Sequence, residues 1–265
     1  MLYLIVLLST CLGAFIGKLI GMVTFYLPPI LLEGCELGRE PRDILRWAFQ
    51  KSFCWNCKNP RALLEGIPIL GYFYTKGKCN HCDFFYKRYF ILEIGMGIFF
   101  GATALFSSST ASLFFVWIVI SLLVCCFLTD YDYSILPDQL TQGLVWTGLI
   151  GSLFPIFLTP SEAITGASAG YGIFWMINEI FRYFRHQDGM FPGDFKLNAG
   201  VGACIGIKLL LPVLAIALLL LIAFTFAKFI RSEKRTAIGF LKKEVSYGCY
   251  LSIVASGAIL FLFFW

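Results

Sequence analysis

Apolar residues in this chain come in long runs, separated by short polar stretches. The runs fall at approximately 2–27, 89–107, 111–129, 140–159, 163–183, 195–207, 209–230 and 247–265. A helix needs roughly 20 mostly apolar residues to cross the hydrocarbon core of a bilayer. The sixth run is the weakest: it is short, Gly-rich and broken near Lys208, the pattern of a half-buried or re-entrant segment. The periodicity predicts an all-α polytopic membrane protein with about eight transmembrane helices. Its expected parts are a first transmembrane helix (1–33), a polar loop rich in cysteine (34–88) and a seven-helix membrane core (89–265). The first run lacks a basic leading region, is long for a signal sequence and carries Lys18. It is therefore expected to be a retained anchor.

Composition supports this picture. Of 265 residues, 58% are hydrophobic and 14% charged, with a mean hydropathy of +0.79. A soluble domain is about half apolar and about a quarter charged, so the excess apolar surface must face lipid.

Charge then orients the chain. Arg39, Arg42, Arg46, Lys51, Lys58, Arg61, Lys76, Lys78, Lys87 and Arg88 crowd the first polar stretch. Arg182, Arg185 and Lys196 lie in the stretch 182–196, and Lys228, Arg231, Lys234, Arg235, Lys242 and Lys243 in 228–243. The alternate connections carry only Lys208. Basic residues concentrate in cytoplasmic loops, so both termini are expected outside, in the periplasm if the host is a bacterium. The net charge of +5 is thereby accounted for by topology, and no nucleic-acid partner is expected.

The loop 34–88 is too short for an ordinary stable core. It contains Cys54-x-x-Cys57 and, after a spacer of 21 residues, Cys79-x-x-Cys82. Four thiolates in two such knuckles suit a tetrahedral zinc ion with no open coordination position, hence a structural one. A cytoplasmic setting disfavours disulfides. His81 lies inside the second knuckle and is the weaker ligand candidate. Turn formers flank the knuckles: Asn56, Asn59 and Pro60 at the first, Gly77 and Asn80 at the second. A short helix is expected near 40–53, with Trp47 and Phe49 at the membrane interface or on a packing face.

Two acids stand at the edges of spans, where ionisable groups are costly and usually functional. Asp130 closes the third run, and Asp194 precedes the sixth. The topology puts both at the cytoplasmic end of the membrane. A carboxylic acid and a carboxylate brought together can split a peptide bond with water, one donating a proton and the other taking one. The first cluster also holds Asp132, expected to be solvated or paired, and Asp138, which follows Pro137 and is expected to cap the fourth span. In the second cluster Gly193 allows close backbone approach, Asp194 could equally cap the sixth span, and Lys196 follows the positive-inside bias. A transporter using intramembrane carboxylates has a similar pattern, but no repeat between halves is evident. A non-enzymatic secretion-assembly subunit is a further reading.

These residues together resemble the type IV prepilin peptidases, the GxGD-type membrane aspartyl proteases of pilus and type II secretion systems. The resemblance rests on the paired knuckles, on Gly66-Ile67-Pro68 and Lys87-Arg88-Tyr89 leading to Glu93, on the run from Asp130 through Asp132 to Asp138, and on Gly193-Asp194-Phe195-Lys196-Leu197. Tyr247-Gly248-Cys249-Tyr250 is similar to a Phe-Gly-Pro-Tyr segment of the family. The resemblance implies catalysis by Asp130 and Asp194, with Gly193, Lys196 and Asp138 in support. It implies a prepilin or pseudopilin substrate, cleaved from its basic leader at the cytoplasmic face of the inner membrane amid membrane lipid. It further implies zinc at the cysteines and S-adenosylmethionine as donor for N-methylation of the new terminus. The chain departs from the family pattern at Phe191 and Pro192, which open the GxGD motif, and at Gly21 and Tyr26 in the first helix.

Overall fold

The computed structural model of the protein describes residues 2–33, 54, 57, 67–79, 81–82, 87–107, 109–154, 156–187, 189–231 and 246–265. The expected interfacial helix at 40–53, and Asn56, Asn59, Pro60, Gly66 and Asn80, lie outside these residues. The described elements are helical: α1 (Leu2–Glu33), the short α2 (Leu70–Tyr74), α3 (Lys87–Phe106), α4 (Thr110–Tyr133), α5 (Asp138–Leu153), α6 (Pro160–Arg185), α7 (Pro192–Arg231) and α8 (Tyr247–Phe264). Among the described residues, five stretches are long and apolar enough to cross a bilayer: Tyr3–Phe25, Lys87–Phe106, Thr110–Tyr133, Pro192–Ala227 and Tyr247–Phe264. α5 is only 16 residues long, because the helix stops at Leu153 rather than running on to 159. α6 is long but carries Glu162, Glu179, Arg182 and Arg185.

The chain divides into two compact units, Met1–Ser108 and Ser109–Trp265. In the first, α1 packs on α3 through small residues. Gly17 lies so close to α3 that a Cβ there would stand 2.6 Å from the Leu92 carbonyl oxygen, and Gly101 faces Thr10 in return. Apolar helices in lipid gain little from hydrophobicity against each other, so close van der Waals approach at such residues holds them together.

In the second unit, α7 is the centre. It is not one helix: Gly206 has φ 71° and ψ 168°, a left-handed φ that favours glycine. The two arms, 192–205 and 207–231, run back on each other. Asn198 of the first arm hydrogen-bonds Tyr247 in the first turn of α8. Phe224 of the second arm packs its ring 6.0 Å from Tyr250 in that same turn. A straight helix would separate Asn198 from Phe224 by about 39 Å, so the chain must reverse at Gly206. The weak sixth run is thus one limb of a helical hairpin, and the break falls two residues before Lys208.

At the bend, Lys208 pairs with Glu162 at 3.3 Å. Glu162 also closes a capping box with Thr159 at the start of α6. The Thr159 N–H and hydroxyl, followed by Lys208, hold the Glu162 carboxyl below its ordinary range. The first arm of α7 lies against α6 backbone to backbone, with Gly166 facing Gly202 and Gly170 facing Asn198. Leu123, Leu144, Val201, Ala255 and Ile259 from α4, α5, α7 and α8 meet in the apolar interior.

A Cβ at Gly202 would stand 2.6 Å from the Gly166 carbonyl carbon, and backbone cannot swing aside as a side chain can. Gly202→Ala should therefore cost about 1–3 kcal/mol, read as a lowered thermal unfolding midpoint in detergent. An unchanged midpoint would show that α6 and α7 separate without penalty.

Candidate active site

Asp130 lies in the last turn of α4. Its backbone carbonyl accepts the N–H of Ser134 at 2.9 Å, and Ser134 adopts a left-handed conformation (φ 53°, ψ 37°) that ends the helix. The short turn that follows leads through Pro137 into α5. Asp130 is only 5% exposed, so its polar atoms need partners from the protein. They come from α8. The Cys249 N–H donates to Asp130 Oδ2 at 2.8 Å, and the Ser246 hydroxyl donates to the Asp130 carbonyl at 3.0 Å. The first N–H groups of a helix have no partner within it and favour an anion. A proline, which stands at the position of Cys249 in the segment this stretch resembles, has no N–H to give. Gly248 is required beside it, because a Cβ there would sit 2.8 Å from Asp130 Oδ2.

Asp194 enters from α7. Pro192 begins that helix, a position where its fixed φ suits the first turn. The Asp194 N–H donates to the Phe191 carbonyl at 3.0 Å. Asp194 therefore lies within the first turn and not at the cap, and it is half-buried. Gly193 brings this turn against the loop after α4: a Cβ on Gly193 would stand 2.9 Å from Leu136 Cβ. The same leucine packs near Gly248. Asp130, beside Gly248, and Asp194, next to Gly193, thereby stand on helix ends that converge around Leu136.

The supporting acids behave differently. Asp138 is the first residue of α5, and Pro137 occupies the cap position. The expected capping role fails because the carboxylate turns to Lys196 Nζ at 2.6 Å. This ion pair joins α5 to α7 beside Asp194. It is substantially solvent-exposed, so its direct contribution to stability is small. Asp132 is exposed.

Sequence reasoning singled out Asp130, Asp194, Gly193, Lys196 and Asp138, and all are drawn from this end of the second unit. It missed the part played by Ser246, Gly248 and Cys249, and by Asn198, whose side-chain amide donates to the Asp194 carbonyl at 2.8 Å. The signal for α8 was the Tyr247–Tyr250 segment, which carried no indication of what it touches. Asn198 carried a plainer one, an amide inside an apolar run.

In the first unit the four cysteines come together. Their sulfurs all lie within 4.8 Å of one another. Cys54 Sγ is 3.5 Å from Cys82 Sγ, and Cys57 Sγ is 3.8 Å from Cys79 Sγ. A disulfide needs about 2.05 Å, so the thiols are free. A tetrahedral site with metal–sulfur bonds near 2.3 Å has sulfurs about 3.8 Å apart, so the donor set fits a metal ion. The His81 backbone N–H donates to Cys79 Sγ at 3.4 Å, and His81 itself is exposed and outside the cluster. Tyr72 and Tyr89 pack against the group. Ahead of it, Lys76 and Gly77 both have positive φ, which turns the chain into the second knuckle. Glu93 of α3 accepts the Ile69 N–H at 2.7 Å, tying the start of this turn region to the helix.

Comparison with known proteins agrees with the geometry. The model of the type IV leader peptidase family matches residues 117–226, and that of the bacterial peptidase A24 N-terminal domain matches residues 7–107. These ranges fall one in each structural unit. A protein of Klebsiella pneumoniae named prepilin leader peptidase/N-methyltransferase is 32% identical over 178 residues, covering 67% of this chain and 78% of its own. One of the same name from Aeromonas hydrophila is 31% identical over 215 residues, or 79% and 71%. Another from Aeromonas salmonicida is 28% identical over 274 residues, or 97% and 89%. No solved structure matches significantly. The transporter and assembly-subunit readings gain no support from these likenesses. With both family models satisfied and relatives aligned across most of its length, the chain belongs to the type IV leader peptidase family.

Proposed function

We propose that this protein is an intramembrane aspartyl endopeptidase that removes the leader of prepilins or pseudopilins, and that it also N-methylates the terminus so exposed. The observation that supports the reading is that Asp130 and Asp194 stand on helix ends meeting at Leu136 in a member of this family. In this reading one carboxyl is protonated and polarises the scissile carbonyl. The other is ionised and takes a proton from water as the oxygen attacks the carbonyl carbon. The C–N bond then breaks as the amine receives a proton from the pair. No covalent acyl-enzyme forms. Positioned acid–base groups of this kind typically contribute about 100- to 10,000-fold.

Orientation supports a cytoplasmic site. Arg182 and Arg185 end α6, and Lys196 follows in the first turns of α7, all on the aspartate side of the second unit. Basic residues of this kind stay on the cytoplasmic side, and this reading takes both chain termini to be periplasmic. A prepilin offers its scissile bond where a basic leader meets an apolar helix, at that same surface.

The metal held by Cys54, Cys57, Cys79 and Cys82 is inferred to be zinc, which when bound would fasten the polar loop as a structural staple. S-adenosylmethionine is the methyl donor that N-methyltransferase activity calls for. Among the described residues of 54–107 the only acidic side chain is Glu93, which accepts from Ile69. Beyond Glu93, which the Ile69 N–H already engages, the described residues of this stretch offer no further carboxylate to that cofactor's ribose.

Asp130→Asn and Asp194→Asn should each abolish leader cleavage in a membrane assay with a prepilin-type substrate. Cleavage at the wild-type rate by either variant removes that residue from the pair. Elemental analysis of the purified protein should find about one zinc per chain, falling sharply in Cys54→Ser. A wild-type protein without zinc would sink the staple.

A further inference from the structure

Two polar side chains that the peptidase reading does not use link the helix ends associated with the two aspartates. Asn198 is on the first arm of α7, four residues after Asp194 and hence on the same helix face. It is 0% exposed, and Tyr247, the first residue of α8, is 8% exposed. The Tyr247 hydroxyl donates to Asn198 Oδ1 at 3.1 Å, and Asn198 Nδ2 donates to the Asp194 carbonyl at 2.8 Å. Two residues beyond Tyr247, the Cys249 N–H donates to Asp130 Oδ2. A path of hydrogen bonds thus runs from the carboxylate of Asp130, through the first turn of α8, to the backbone of Asp194.

Its middle is held from the other side by α6. Gly170 meets the Asn198 backbone without room for a Cβ, and the Phe174 ring lies 5.6 Å from that of Tyr247. A leucine and a phenylalanine would fill the same space and avoid the cost of burying a phenol and an amide. What the polar pair adds is direction: one hydrogen bond fixes the rotation and height of α8 against α7, where apolar contact alone tolerates sliding.

We propose that Asn198 and Tyr247 are positioning residues for the aspartate pair. Their hydrogen bond locks the helix end that holds Asp130 to the one that bears Asp194, and so sets the spacing of the two carboxylates for peptide cleavage. This rests on the peptidase reading.

The test measures kcat and KM for leader cleavage, together with the thermal midpoint, in wild type, Tyr247→Phe, Asn198→Leu and the double variant. Tyr247→Phe leaves Asn198 Oδ1 unpaired in the interior, and such an orphan is destabilising. Its midpoint should fall. The double variant removes both partners, so its midpoint should return toward that of the wild type. Its kcat should nevertheless stay down by about tenfold with KM within about twofold, because small misplacements of reacting groups cost rate and not binding. If kcat recovers along with the midpoint in the double variant, the pair serves the fold alone and the proposal is overturned. Should Asn198→Leu fail to fold by itself, Tyr247→Phe and the double variant still decide the matter. Wild-type protein that does not cleave at all overturns the peptidase reading, and this proposal with it.

Discussion

A carboxylate shut away from water at the end of a membrane helix must be satisfied by protein. Asp130 is in that position, and the N–H of Cys249 is the group that meets it. Much of the second unit can be understood as what is needed to bring that N–H there. α8 has to begin at this depth and point its unpaired amides inward. Gly248 has to lack a side chain, and Ser246 has to close the junction by bonding the Asp130 carbonyl. A helix end is the natural device, since its first N–H groups find no partner inside the helix.

Bringing Asp194 to the same place is a packing problem. The first arm of α7 lies deep against α6, where the paired glycines Gly166 and Gly202 permit close backbone approach. Gly206 then sends the chain back, so that the second arm returns along α8. Gly193 and Leu136 close the gap between the α4–α5 turn and the start of α7. The site is therefore assembled from helix ends and close backbone contacts. Outside it, the Asp138–Lys196 pair joins α5 to α7 in a setting where an ion pair adds little to stability.

The first unit solves a different problem with different means. Its polar loop is too short for an ordinary core of its own, and the four cysteines offer a metal ion a donor set that would cross-link it. The sulfurs stand at metal-site separations rather than at bonding distance. Tyr72 and Tyr89 then pack around them, so that the cysteine cluster doubles as a small core of its own.

Membrane character, helical class and the paired cysteine knuckles were legible along the chain, and the two aspartates stood out as candidates, because each is a local property. Run length and hydropathy need no partner. A CxxC pair brings two ligands within reach by spacing alone, and an acid at the edge of a span is conspicuous by its cost. Even the break in the sixth run announced itself through glycine and Lys208. The reversal at Gly206, the early end of α5 at Leu153, the Lys196 partner of Asp138 and the roles of Ser246, Gly248, Cys249, Asn198 and Tyr247 were not legible. Each depends on which helix faces which, across separations as large as the 119 residues between Asp130 and Cys249. Hydropathy marks a helix as buried in lipid but carries no information on its rotation or its neighbours. Only the packing of glycine faces and the pairing of buried polar groups decide those.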